Sequence, residues 1–203
     1  ASLALIDAAI EVGADTLLVH HGYFWKGEPE AIAGFKGRRI RRLIQNNINL
    51  LAYHLPLDAH PEVGNNAQLA RIMGWSVDDR SGEHDIIFHS VLPKPLSLDS
   101  LTANIATGLG REPLSISAGE KKVRSLAWCS GAAQSYIEQA AEHGADAFVS
   151  GEVSEKTFHF AREAGIHYIA AGHHATEQYG VQARAAVIAE RFGVKQQYID
   201  IAN

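Results

Sequence analysis

The chain has 203 residues, of which 46% are apolar and 20% charged, proportions that are ordinary for a globular protein with a substantial core. A net charge of -5 and an isoelectric point near 6.1 argue against a basic nucleic-acid-binding surface. A single cysteine, Cys129, excludes a disulfide framework and a cysteine-based zinc site. No apolar run is long enough for a membrane span and no secretory signal pattern is present, so we predict a cytoplasmic protein without membrane contact. Because the sequence opens at Ala1, without methionine and within a helix-like pattern, we expect the natural N-terminus to lie upstream.

The first half of the chain alternates between helical and strand patterns. Helices are predicted over residues 1–15, 36–48 and 65–75, and strands over residues 16–22 and 49–58. Gly13 and Gly74 are expected to end the first and third helices, since glycine favours the left-handed conformation found at helix C-termini. Pro56 interrupts the second strand.

The second half continues the alternation. Strands are predicted over residues 85–92, 125–131, 145–152 and 166–174, and helices over residues 96–110, 132–144, 158–165 and 175–193. The helix over residues 96–110 is expected to be capped near Ser97. Strands that alternate with helices of this length are typical of an α/β fold with a mostly parallel sheet and helices on both faces.

Most of the predicted strands end in polar residues that bind metals. The segments AAIEVGADTLLVHHG, QAAEHGADAFVSGE and REAGIHYIAAGHH form a faint repeat, although the Gly-Ala-Asp turn in two of them is common by itself. The strand ends are His20-His21, His54 through Asp58, Gly151-Glu152 and His173-His174. Because α/β sheets bind ligands at the carboxyl ends of their parallel strands, these residues indicate a binding site.

The spacing of these residues favours a metal centre. His173 and Glu177 are four residues apart at the start of a helix and therefore share one face. Asp58 follows a turn that contains Pro56, which is expected to expose its carboxylate. Nitrogen and oxygen donors without a thiolate suit Zn, Mn, Fe, Co or Ni. Three imidazoles and two carboxylates exceed what one catalytic zinc ion takes from protein, so two divalent ions that share a carboxylate fit the number better.

Four segments resemble the bacterial Nif-three-like proteins, often labelled GTP cyclohydrolase I type 2 homologues. They are VHHGYFWKGE, HLPLDAHPEVGNNAQLA, GEVSEKTFH and AAGHHATEQYG, and the resemblance covers nearly the whole chain in order. It implies two related three-layer α/β/α lobes, a metal site between them, and subunits that form a toroidal homohexamer. We place the lobes at residues 1–84, joined by the C-terminal segment, and 85–203.

The resemblance also implies a residue for each metal contact. His20 and His173 would bind one ion, His21 and Asp58 the other, and Glu177 would bridge the two. His174 is then a supporting or core residue.

Other polar residues allow more than one interpretation. The candidates for a catalytic role are Glu152 and His54. For His54, support of the site or a core position is favoured over ligation, and Glu152 is either an acid–base group or the N-cap of the next helix. His159 would act on water or substrate only as an exception, and Cys129 is expected to be a buried small hydrophobe. A basic cluster is expected to be a solvated helix face or, in a ring, a channel lining; it comprises Arg38, Arg39, Arg41 and Arg42.

Two functions remain open from the sequence. The preferred one is metal-assisted hydrolysis of a nucleotide or another phosphorylated small molecule. The alternative is a non-catalytic metal-binding assembly or adaptor protein, which the absence of an evident general acid or substrate-specific motif favours. Whether the chain is an enzyme is therefore not decided by its sequence.

Overall fold

A computed structural model describes residues 1–201 and shows an α/β protein made of two compact units. The first unit contains Ala1–His54 together with the C-terminal segment from Arg184, and the second contains Leu55–Ala183. The chain thus changes unit after His54, earlier than the boundary that we predicted at residue 84. The α/β fold class is confirmed.

The first unit packs two helices on a two-stranded parallel sheet. Its elements are α1 (Leu3–Glu11), β1 (Thr16–Val19), α2 (Gly34–Gln45) and β2 (Asn49–Ala52). Ser2 caps α1, because its hydroxyl accepts a hydrogen bond from the backbone N–H of Leu5. The apolar core joins side chains from both helices and from β1, among them Ile6, Leu17 and Leu43.

The basic cluster on α2 is a surface feature of the first unit. The guanidinium of Arg39 lies over the rings of Tyr23 and Phe35, and that of Arg42 forms an ion pair with Asp7 at 2.8 Å. Two of the four arginines are therefore engaged within the unit, as expected for a solvated helix face whose long side chains cover apolar neighbours.

The second unit is built on a six-stranded sheet of order β3-β4-β6-β7-β8-β5. Its strands are β3 (Asp79–Ser81), β4 (Ile87–Leu96), β5 (Leu114–Ile116), β6 (Val123–Trp128), β7 (Ala147–Ser150) and β8 (His167–Ala170). Only β6, β7 and β8 are parallel neighbours, whereas β3, β4 and β5 pair antiparallel. The expectation of a mostly parallel sheet is thus corrected to a mixed sheet. The three-residue edge strands β3 and β5 are too short to produce a periodic signal, and periodicity predicts the strand β4 but not the direction in which it pairs with β6.

Helices cover both faces of this sheet. They are α3 (Leu55–Ala59), α4 (Asn65–Met73), α5 (Leu98–Leu109), α6 (Ile137–Glu142) and α7 (Glu155–Ala164). Alternating residues of β6 point to opposite faces. Leu126 and Trp128 pack in one core with α4 and α5, while Ala127, together with Cys129 just after the strand, packs in another with α6 and α7. The second unit is therefore a three-layer α/β/α arrangement.

The predicted helix ends hold where the capping signals are strong. Gly74 ends α4 in a left-handed conformation, and the Ser97 hydroxyl caps α5. The last helix, α8 (His173–Phe192), begins in the second unit and continues past Arg184 into the segment of the first. Within residues 1–201, no helix combines the length and the apolar character that a bilayer span requires.

Candidate metal centre

Three histidines of the first unit lie at the carboxyl ends of its two strands. His20 and His21 follow β1 directly, and His54 comes two residues after the end of β2. Since β1 and β2 are parallel neighbours, with Val19 opposite Ala52, their ends lie side by side. The sheet thereby brings together histidines that are more than thirty residues apart in the chain.

The three imidazoles form a compact cluster. Ring centroids are 4.7 Å apart for His20 and His21, and 5.2 Å from His54 to each of them. One ring nitrogen from each histidine lies within 4.8 Å of the others, close enough to share an ion. His20 is only 7% exposed, and Trp25 presents its ring edge-on to His21 and His54. His54 therefore belongs to the candidate site and not to the core, whether it ligates or supports.

In the second unit, His173 is held between two carboxylates. Its Nε2 lies 2.9 Å from Oε2 of Glu177, one turn along α8, as the four-residue spacing predicted. Its Nδ1 lies 2.6 Å from Oε1 of Glu152. The hydrogen bond with Glu177, followed by that with Glu152, raises the pKa of His173 to about 9 against the opposing effect of burial. The surroundings of this imidazole strongly favour a positive charge.

Glu152 has a role other than helix capping. The cap of α7 is Ser154, which forms a capping box with Thr157, so the N-cap interpretation of Glu152 is wrong. The Tyr168 hydroxyl donates a hydrogen bond to the backbone carbonyl of Glu152 and fixes the turn after β7. The carboxylate is thus placed to orient His173.

Asp58 is buried, contrary to the expectation that its carboxylate is exposed. It lies in α3 and is 3% exposed. The amide Nδ2 of Asn65 and the hydroxyl of Ser130 each donate a hydrogen bond of 2.8 Å to its Oδ1. Pro56 occupies the first turn of this short helix, where its missing N–H costs nothing, so the segment turns inward instead of forming an open loop.

Two buried asparagines that the sequence patterns did not reveal organise this region. Besides Asp58, Asn65 bonds the backbone N–H of Gly180 in α8. The Oδ1 of Asn66 accepts a hydrogen bond from the backbone N–H of Ser130, and its Nδ2 donates one to the backbone carbonyl of Ile86. The available signal was the pair Asn65-Asn66 directly after Gly64, which is easily read as ordinary helix-start polarity.

Gly131 allows the Glu177 carboxylate to approach the end of β6. A Cβ at this position would lie 2.8 Å from Cδ of Glu177 and closer still to Oε1. Its φ of +68° is also a conformation that favours glycine. Ser130 bonds Asp58 and Gly131 adjoins Glu177, so both candidate carboxylates are positioned by the same dipeptide.

Three further residues considered from the sequence are His159, His174 and Cys129. His159 is exposed on α7 with its ring against Phe158, and His174 is partly buried at the start of α8. Cys129 is buried, as predicted for a small hydrophobe. Burial together with the charge of Asp58 raises the pKa of its thiol.

The donor chemistry fits divalent transition metals. The candidate ligands are imidazole nitrogens and carboxylate oxygens, with a glycine in close approach and a histidine that attracts positive charge. Such a mixture suits Zn, Mn, Fe, Co or Ni. The residues therefore fit a metal site.

Comparison with known proteins identifies the family. A family model described as Duf34/NIF3 (NGG1p interacting factor 3) matches residues 1–203. Proteins called GTP cyclohydrolase 1 type 2 homolog from Pseudomonas aeruginosa and Vibrio cholerae are 52% and 54% identical over the whole chain, which spans 81% and 82% of their lengths.

Solved structures agree with the family match. A structure described as protein ybgI, of unknown function, has a TM-score of 0.95 at 47% identity, with 100% of this chain and 81% of that chain covered. The structure of TTHA1606 from Thermus thermophilus has a TM-score of 0.88 at 38% identity, with 98% and 80% covered. The family resemblance predicted from the sequence motifs is confirmed, and the chain belongs to the Duf34/NIF3 family.

Proposed function

We propose that the chain is a metal-dependent hydrolase that binds two divalent ions per subunit and acts on a nucleotide or another phosphorylated small molecule. The proposed ligands are His20, His21, Asp58, His173 and Glu177. The observation that carries the proposal is His173, whose imidazole is held between the carboxylates of Glu152 and Glu177. A proton and a metal ion compete for the same imidazole nitrogen, so an environment that attracts one attracts the other.

The ligand assignment follows the sequence resemblance. His20 and His173 would hold one ion, His21 and Asp58 would hold the other, and Glu177 would be shared between the two. When bound, a pair of such ions supplies a hydroxide nucleophile at neutral pH and stabilises the displaced oxygen.

The side chains around these ligands orient them. Glu152 accepts a hydrogen bond from the Nδ1–H of His173, which orients the ring and leaves Nε2 facing Glu177. Asn65 and Ser130 hold Asp58 through Oδ1. Glu152 is partly exposed, at 44% of its side chain, and is the proposed acid–base group because it adjoins the site and reaches solvent.

The relatives support a nucleotide substrate only through their names. They are called GTP cyclohydrolase 1 type 2 homolog, but none of the residues identified in this chain is assigned to the recognition of a guanine ring. The substrate is therefore proposed at the level of a phosphorylated small molecule, and the cytoplasmic location predicted from composition is kept with it.

The test is metal-dependent turnover. Protein loaded with Mn²⁺ or Zn²⁺ is screened against a panel of nucleotides and phosphoesters, beside a chelated sample and the variants Glu177→Gln and Glu163→Gln. Glu163 is exposed on α7 and serves as the matched control. We expect turnover that requires metal, survives in Glu163→Gln and falls by at least about 100-fold in Glu177→Gln. Absence of turnover across the panel, or full activity in Glu177→Gln, would refute the hydrolase.

A non-catalytic metal-binding assembly is the second candidate. The description of the matching family includes an interacting factor. The first unit also exposes large apolar side chains, including Phe24, Phe35 and Ile44. Metal binding without turnover, together with a stable toroidal homohexamer in light scattering, would favour this candidate, whereas metal-dependent turnover would favour the hydrolase.

A further inference from the structure

A cavity of about 390 Å³ opens beside Glu152 in the second unit. Residues that line it include Arg111, Glu112, Leu114, Glu152, Val153 and Gly172. The cavity lies at the carboxyl ends of the parallel strands β7 and β8. The start of β5 reaches the same edge, because β5 runs antiparallel to β8 with Leu114 opposite Ala170. This is the edge at which α/β sheets bind ligands.

The cavity adjoins the candidate metal centre through Glu152. The same carboxylate lines the cavity and accepts a hydrogen bond from His173, with 2.6 Å between Nδ1 and Oε1. Gly172, in the cavity wall, immediately precedes His173 in the chain. A molecule bound in this cavity would therefore be separated from His173, a proposed metal ligand, only by the side chain of Glu152.

Arg111 is placed to bind an anion in this cavity. Gly110 ends α5 in a left-handed conformation, and the backbone N–H of Arg111 donates a hydrogen bond to the carbonyl of Ala106, which fixes the backbone of Arg111 at the helix end. A Cβ at Gly172 would lie 2.9 Å from Nε of Arg111, so the guanidinium stem passes directly over this glycine. Within residues 1–201 the exposed Arg111 side chain forms no ion pair, which leaves its donors available.

The other walls of the cavity define the ligand further. Leu114 and Val153 are exposed apolar side chains that can contact an organic group. Glu112 and Glu152 contribute two carboxylates, which outnumber the single guanidinium of Arg111 in the cavity wall. Anion binding there depends on the planar fork of the guanidinium, which matches a phosphate by two parallel hydrogen bonds.

We infer that this cavity is the subsite for the phosphate group of the substrate, with Arg111 binding the phosphate oxygens and Leu114 and Val153 contacting the organic part. The inference rests on the proposed function, because it assigns a place to the phosphorylated molecule on which the metal centre acts. Glu112 opposes the anion, so its neutralisation strengthens phosphate binding, whereas loss of the Arg111 fork weakens it.

Protection from arginine modification tests the subsite without requiring turnover. Metal-loaded protein is treated with phenylglyoxal, and mass spectrometry follows the modification rate at each arginine in inorganic phosphate or in chloride of equal ionic strength. We expect phosphate to slow modification of Arg111 several-fold while leaving Arg41, an exposed arginine on α2, unchanged. Equal rates at Arg111 in the two salts would overturn the inference.

Calorimetric titration with inorganic phosphate completes the test. Arg111→Gln should weaken phosphate binding by about 10-fold or more, Glu112→Gln should tighten it, and metal content should stay unchanged in both. Unchanged phosphate affinity in Arg111→Gln would overturn the subsite even if turnover persists, since the phosphate would then be bound elsewhere. Phosphate protection of Arg111 in a protein that shows no turnover would instead refute the hydrolase and leave the anion site standing.

Discussion

Replacing Gly131 by alanine tests whether the Glu177 carboxylate is a metal ligand, because the two residues are almost in contact. The added Cβ would lie 2.8 Å from Cδ of Glu177 and closer to Oε1, inside any van der Waals separation. The carboxylate must therefore retreat by roughly 1 Å, several times the tolerance of about 0.2 Å in metal–ligand distances. We expect Gly131→Ala to lose metal affinity by at least about 10–100-fold.

Backbone strain is a separate effect of this substitution and needs its own control. Alanine at a φ of +68° costs about 1–2 kcal/mol, which would lower the melting temperature of a chain of this size by about 2–4 °C per kcal/mol. Gly165, at the end of α7, has a φ of +70°, and a Cβ added there would meet nothing within 4 Å. Gly165→Ala therefore carries the same strain without the collision.

The assay is elemental analysis after equilibrium dialysis against Mn²⁺ or Zn²⁺, paired with thermal denaturation of both variants. Similar destabilisation of the two, with metal lost only from Gly131→Ala, is the expected result. If Gly131→Ala holds as much metal as Gly165→Ala, Glu177 is not a ligand in the position that the structure gives it, and the reasoning fails.

Three further predictions concern the histidines and the stability of the fold. Wild-type protein should bind about two ions per chain, and His21→Ala and Asp58→Ala should each lose one of them. His174→Ala should keep both ions. Metal loss in His174→Ala would contradict the assignment of His174 as a residue that does not bind metal. Metal at about a hundred times its dissociation constant should add roughly 2.7 kcal/mol to the free energy of unfolding. This gain should shrink between pH 7.5 and 5.5, because protons compete with metal for the imidazoles. A melting temperature that does not respond to a chelator would contradict this prediction. Burial, with the neighbouring His143, lowers the pKa of His89 to about 4, below its value in the unfolded chain. Between about pH 6.5 and 4 the unfolded chain therefore binds one proton more than the folded chain, so the contribution of His89 to stability is complete above that range and is lost as the pH falls. In urea unfolding, the free energy of unfolding of His89→Gln should fall less steeply with decreasing pH than that of the wild type. An identical pH dependence in the two proteins would contradict the prediction.

Local patterns were sufficient for most of the helices and the central strands. The apolar spacing and the terminal glycine of α4 depend only on residues within that segment, and so does the Ser97 cap of α5. The edge strands β3 and β5 were not predicted, because three residues carry no periodicity and their pairing partners lie elsewhere in the chain.

In the candidate site, too, the features that depend on neighbouring residues could be predicted from the sequence. His173 and Glu177 could be paired from sequence because a helix fixes the geometry of residues four apart. The clustering of His20 and His21 could be expected from their place after β1, since strand ends gather ligands.

The surroundings of Asp58 were decided only by the tertiary structure. Its partners Asn65 and Ser130 come from α4 and from the end of β6, and Ser130 is 72 residues away in the chain. Nothing in the sequence around Pro56 shows whether the following carboxylate is exposed or buried, because burial depends on which distant donors the fold supplies. The sequence by itself determined which residues are candidates for the site and which local elements hold them. The fold alone determined which of these candidates are buried, bonded and oriented, since those properties arise from contacts between segments that no local pattern encodes.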